Sequence, residues 1–108
     1  MSAQYEEFLS IVAKLRGPNG CPWDKKQTHE SLKPYFVEET YEALQAIDDG
    51  DDDELASELG DVLLQIGLHA QIASETARFD FETVLGKINE KLIRRHPHVF
   101  GQVEVDGV

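Results

Sequence analysis

Val37-Glu38-Glu39-Thr40-Tyr41-Glu42-Ala43-Leu44-Gln45-Ala46-Ile47-Asp48-Asp49-Gly50-Asp51-Asp52-Asp53-Glu54-Leu55-Ala56-Ser57-Glu58-Leu59-Gly60-Asp61-Val62-Leu63 reads as one helix running into a turn and a second helix leaving it. Val37, Tyr41 and Leu44 form one apolar stripe at helical spacing, and Phe36, Ala43 and Ile47 a neighbouring one. Gly50 tolerates the left-handed geometry that ends a helix. Asp51 to Glu54 complement the positive end of the next helix, expected from about Asp52 to Thr76. A turn this short predicts an antiparallel hairpin.

The rest of the chain continues the helical pattern. Tyr5, Phe8, Leu9, Val12 and Leu15 share one face, and Gly17-Pro18-Asn19-Gly20-Cys21-Pro22 ends that helix in a loop. Thr28 or Ser31 is the candidate cap of the helix that follows, with Pro34 expected in its first turn. Asp80 is expected to cap a fourth helix that points Phe81, Val84, Leu85, Ile88 and Leu92 inward and stops before Pro97. In the third helix Leu55, Leu59, Val62, Leu63, Ile66, Ala70 and Ala73 form one face, and Leu64, Leu68 and Ile72 another. Two apolar faces predict burial on two sides, hence a subunit interface. The expectation is an all-α, four-helix bundle subunit, one domain over residues 1–108, with 101–108 a flexible tail.

The charge is concentrated in the opening stretch. Between Glu38 and Asp61 lie eleven acidic residues and no Lys or Arg, which accounts for the whole net charge of −11. With a pI near 4.6, the chain lacks the basic footprint of a nucleic-acid polymer binder. No apolar run approaches the twenty residues of a membrane span, and no secretory signal pattern opens the sequence. The single cysteine, Cys21, fits a reducing, cytoplasmic setting.

Glu39 and Asp61 lie eleven residues either side of Gly50, and Glu42 and Glu58 eight either side. Across an antiparallel hairpin these positions are level, so two carboxylate pairs should stack about 5 Å apart along the axis. Carboxylates packed so closely repel, and a hard divalent cation such as Mg²⁺, or Mn²⁺, relieves the repulsion. Asp48 to Glu54 read instead as a solvated turn. An EF-hand is excluded, because with Gly50 sixth the early ligands would be Gln45 and Ile47. A di-iron site is disfavoured by the absence of Glu-x-x-His pairs. Phosphate chemistry also needs cations: Lys87, Lys91, Arg94 and Arg95 are either a phosphate contact or a solvated face. Lys25 and Lys26 lie beside Trp23, which is either a stacking platform for a base or a core anchor.

Glu38-Glu39-Thr40-Tyr41-Glu42 followed by Glu58-Leu59-Gly60-Asp61 resembles the EExxE…ExxD pattern of the all-α nucleoside triphosphate pyrophosphohydrolases, and MazG in particular. Leu15 through Asp24, Gln27-Thr28, and Glu90 through Phe100 carry the same resemblance, over roughly positions 5 to 100. It implies a Mg²⁺-dependent hydrolase that cleaves nucleoside triphosphates between the α and β phosphates, working as a homodimer or homotetramer. By position it implies Glu39, Glu42, Glu58 and Asp61 as metal ligands and Glu38 as a group that either supports those ligands or activates water. Lys91, Arg94 and Arg95 would contact phosphates; Trp23 and Lys25, from their own chemistry, are further candidate substrate contacts. MazG proteins often carry two such modules in tandem, and this chain resembles the first. The alternative is therefore a weak or silent metal-nucleotide-binding or oligomerisation module.

Overall fold

The computed structural model describes residues 2–101, so the expectation of a flexible tail lies outside the described residues except at Gly101. Six helices follow one another: α1 (Ala3–Leu15), α2 (Pro22–Lys26), α3 (His29–Asp49), α4 (Asp52–Glu75), α5 (Phe81–Arg95) and α6 (Pro97–Phe100). Among the described residues there is no strand, as the periodicity predicted. Two helices exceed the predicted four. Both are short and begin with a proline at the first position, where its fixed φ and missing N–H cost nothing.

Each long helix starts on a side-chain cap. Ser2, Thr28, Asp51 and Asp80 accept from the backbone N–H groups of Tyr5, Ser31, Glu54 and Thr83. At α3 the cap is reciprocal: Ser31 N–H donates to Thr28 Oγ1 over 3.1 Å, and Thr28 N–H to Ser31 Oγ over 2.8 Å. This fixes the start at His29 and corrects the placing of Pro34, which stands in the second turn, exposed.

The α3–α4 hairpin is the spine. Gly50, at φ 66°, closes α3; its N–H donates to Ile47 O, and that of Asp51 to Ala46 O. These two bonds satisfy carbonyls that would otherwise be orphaned. α1 packs on α4 through a small core of Val12, Leu32 and Leu68, flanked by Phe8, Leu64 and Ile72. Arg16 then ties the 17–27 loop to the far end of α4. Its guanidinium donates to Asp24 O and Gln27 O at 2.6 and 3.0 Å and grips Glu75 through two bonds of 2.9 Å. In that loop Gly20 passes against α1 so closely that a Cβ would run into the Leu15 carbonyl.

Burial follows the periodicity only in part. Leu68, Ala70 and Ala73 on α4 are buried, and Ala43 and Ala46 on α3. The stripe of Val37, Tyr41 and Leu44 is exposed, as are Ile47, Leu59 and Leu63. On α5, Phe81, Val84 and Leu85 are partly covered, but Ile88 and Leu92, expected inward, are exposed. The first turn of α5 meets α1: Phe81 stands edge-on to Tyr5 and Phe8, and Tyr5 Oη donates to Glu82. The radius of gyration, 16.6 Å, exceeds the roughly 13 Å of a compact chain of this size. No described helix is long and apolar enough to cross a membrane.

Candidate metal centre

The register about Gly50 brings carboxylates together at the turn-proximal half of the hairpin. One oxygen each from Glu39 on α3 and from Glu58 and Asp61 on α4 lies within 4.8 Å of the others. Neighbouring ligands of an octahedral Mg²⁺ stand about 3 Å apart, so three carboxylates that meet within 4.8 Å would draw closer to bind one ion. Glu58 is 9 % exposed, and Glu39 is half-buried. Glu42 is exposed on the next turn and joins the cluster through its interaction with Glu58. Glu38 is exposed beside them and acts on Glu39 through its charge.

The electrostatics match the packing. Glu58 is pushed up to about 7 by burial first, then by sharing hydrogen bonds with Asp61 and Glu42 and by the charges of Glu42 and Glu54. Glu39 is raised as well, through burial and then the charges of Asp61, Glu42 and Glu38. Glu39 Oε2 is buried without any hydrogen-bond partner. A carboxylate oxygen offers no proton of its own, so neighbouring carboxylates leave it unsatisfied. A hard divalent cation answers both the orphaned oxygen and the mutual repulsion, and the all-oxygen donor set suits Mg²⁺ or Mn²⁺.

The other sequence-predicted contacts stay apart from this cluster among the described residues. Lys91 lines an open groove of α5 with Arg78, Phe79, Lys87 and Ile88. Arg94 reaches back to Glu90 at 3.9 Å, and Arg95 is exposed. Lys25 Nζ donates to Pro18 O at 3.3 Å and so holds its own loop. Trp23, 48 % exposed, stands edge-on to Tyr35 with ring centres 5.5 Å apart, and so is no core anchor.

At the open end of the hairpin lies a group that the motifs did not flag: His29 on α3, His69 on α4 and Arg78 on the loop before α5. The two Nδ1 atoms are 2.7 Å apart, and an Arg78 Nη stands 2.9 Å from His29 Nε2. The register carried a signal for the pair, since His29 and His69 lie 21 and 19 residues either side of Gly50. Nothing local announced Arg78.

Comparison with known proteins places this geometry. Residues 27–100 match the model of the MazG nucleotide pyrophosphohydrolase domain. The chain is 63 % identical over 97 residues to the nucleoside triphosphate pyrophosphohydrolase/pyrophosphatase MazG of Thermotoga maritima, covering 90 % of this chain and 38 % of that protein. It is 53 % identical over 98 residues to the nucleoside triphosphate pyrophosphohydrolase of Escherichia coli K12, covering 90 % and 37 % respectively. The chain thus spans about two fifths of the length of these relatives. The crystal structure of a mazG-related protein from Thermotoga maritima superposes with a TM-score of 0.74 at 30 % identity, over 94 % of this chain and 88 % of that one. The register of the carboxylates, the helical fold and these matches agree: the chain belongs to the MazG nucleotide pyrophosphohydrolase domain family.

Proposed function

We propose that the chain hydrolyses nucleoside triphosphates between the α and β phosphates, releasing a monophosphate and pyrophosphate, in a Mg²⁺-dependent reaction that Mn²⁺ also supports. The observation that carries this is the convergence of Glu39, Glu58 and Asp61 within 4.8 Å, with a buried oxygen left unpartnered. The names of the relatives support the reaction class. Glu39, Glu42, Glu58 and Asp61 would hold the ion, which when bound supplies charge neutralisation for the phosphates and a more acidic water. Glu38, exposed at the edge of the cluster, is the candidate for orienting the attacking water. Lys91, Arg94 and Arg95 are the candidates for neutralising the departing pyrophosphate. Trp23, 48 % exposed, is the candidate to stack on a base, and Lys25 lies two residues on.

We place the enzyme in the cytoplasm as a homodimer or homotetramer. Exposed apolar stripes on α3, α4 and α5 and the large radius of gyration support assembly. The second reading, a weak or silent metal-nucleotide-binding or oligomerisation module, is favoured by one fact: Lys91 lines a groove that contains none of the carboxylates.

A pyrophosphate-release assay across canonical and damaged nucleoside triphosphates, with and without Mg²⁺, separates the two. Metal-dependent release supports hydrolysis, and silence across the panel supports the binding module. Release by Asp61→Ala at the wild-type rate would overturn the ligand assignment.

A further inference from the structure

The proton positions in the His29–His69–Arg78 group follow from the chemistry of one member. A guanidinium only donates, so His29 Nε2, 2.9 Å from Arg78, is an acceptor. The proton of neutral His29 is therefore on Nδ1, and it donates across 2.7 Å to His69 Nδ1. His69 Nδ1 is then an acceptor too, which leaves its proton on Nε2. That atom is buried and has no partner. The rings lie nearly parallel, 3° apart with centres at 5.0 Å, and Phe36 covers His69 from α3.

Both imidazoles must be neutral for this chain of bonds to exist. A proton added to His29 would point at the Arg78 guanidinium. A proton added to His69 would meet the Nδ1–H of His29. The nearby charges give no relief. Arg16, just after α1, is committed to Glu75 of α4, and Glu30 of α3 reaches Lys33. Asp80, at the start of α5, caps its own helix through Thr83, and α2 offers the Asp24 carbonyl, already bonded to Arg16. Burial and the neighbouring His29 both disfavour charge on His69.

The segment that bears Arg78 is itself strained. Ala77 has φ 56°, the left-handed position that a glycine usually takes after a helix. Ala77 N–H donates to Ser74 O and Arg78 N–H to Ala73 O, while Arg78 Nε donates to Thr76 Oγ1. Arg78 is thus held in a cap that carries a steric cost, and its contact with His29 bridges that cap to the first residue of α3.

We infer that His29, His69 and Arg78 form a proton-operated clasp: closed while both imidazoles are neutral, it fastens the loop that leads into α5 onto the hairpin, and protonation of either ring releases it. Acidification then loosens the entry to α5 while leaving the α3–α4 spine paired. The inference stands independently of the hydrolase reading.

Ring-nitrogen NMR on the ¹⁵N-labelled full chain, with hydrogen exchange of the Arg78 amide, tests it without an activity readout. Near pH 8 the wild type should show His29 protonated on Nδ1 and His69 on Nε2. Between about pH 8 and pH 5, exchange of the Arg78 amide, corrected for its intrinsic pH dependence, should accelerate about tenfold or more. In Arg78→Ala, a substitution at an exposed position, His29 should lose the Nδ1–H preference. His69→Phe, which keeps a ring against Phe36, should exchange fast at both pH values. A wild-type His29 protonated on Nε2 would overturn the clasp, as would ring signals unchanged in Arg78→Ala or corrected exchange that does not respond to pH.

Discussion

The two halves of the α3–α4 hairpin solve the same problem in opposite ways. Each presses like groups together between the same two helices: carboxylates near the Gly50 turn, imidazoles at the open end. A neutral imidazole is both donor and acceptor, so His29 Nδ1 and His69 Nδ1 pair with one another, leaving His69 Nε2 buried without a partner. Ionised carboxylates only accept, so Glu39, Glu58 and Asp61 retain a buried oxygen without a partner and hold a proton at Glu58 up to about pH 7. At the open end the two rings bond to each other, whereas near the turn ionised carboxylates meet with no donor among them.

The sharpest way to break this contrast is at Asp61. Asp61→Ala should lower pyrophosphate release by about a thousandfold, the scale of several kcal/mol of charge stabilisation. Helical circular dichroism should be unchanged, because Asp61 is exposed and on the polar side of α4.

At the open end the largest loss should come from Arg16. Its side chain is 8 % exposed and spans two carbonyls and Glu75, so Arg16→Ala should cost about 3 kcal/mol in urea unfolding. Glu75→Gln, which keeps a neutral acceptor, should cost less.

Metal should stabilise only the acidic end. At a hundredfold excess over its dissociation constant, Mg²⁺ should add about 2.7 kcal/mol to wild-type stability near pH 8. The gain should shrink below pH 7, where the ion competes with the proton on Glu58, and it should vanish in Asp61→Ala.

Without metal the two ends should respond to pH with opposite sign. Glu58 has its folded value raised from 4.5 to about 7, so the folded state holds a proton that the unfolded chain has released. Its contribution is complete below about 4.5 and is lost as pH rises through 7. His69 is depressed below 6.5, so its contribution is complete above that value and is lost as pH falls through its lowered value. Glu58→Gln should therefore remove a loss of stability towards alkaline pH, and His69→Phe a loss towards acid. A single slope shared by both variants would refute the division.

The smallest effects should come from the two caps of the same design. Gly50→Ala places a Cβ at φ 66° and should cost about 1 kcal/mol. Ala77→Gly relieves φ 56° and should be worth up to about 1 kcal/mol in thermal melts, less the added freedom of the unfolded chain.

Much of this was legible before any coordinates. The apolar periodicity located the four long helices, with the third read to Thr76 and observed to Glu75. Counting outward from Gly50 paired Glu39 with Asp61 and Glu42 with Glu58, because an antiparallel hairpin with a fixed turn has a fixed register. The same counting, had it been applied to the histidines, would have come within two residues of pairing His29 with His69. What failed was the facing of α5: Ile88 and Leu92 have the spacing of a buried stripe and are exposed. Periodicity reports that a face is apolar, not whether this chain or another covers it. The proline-led turns of α2 and α6 were missed because five and four residues are too few for a period to show.

What the sequence determined by itself is therefore local or symmetric about one turn: helix extents, caps, and the stacking of acids across Gly50. These depend on spacings along a single chain, which a regular helix converts directly into positions. Only the tertiary structure decided that Arg16 reaches Glu75, 59 residues away, that Arg78 meets His29, and that Lys91 lines a groove with none of the carboxylates. Those outcomes depend on how separate helices and loops pack in space, and no repeat along the chain encodes that.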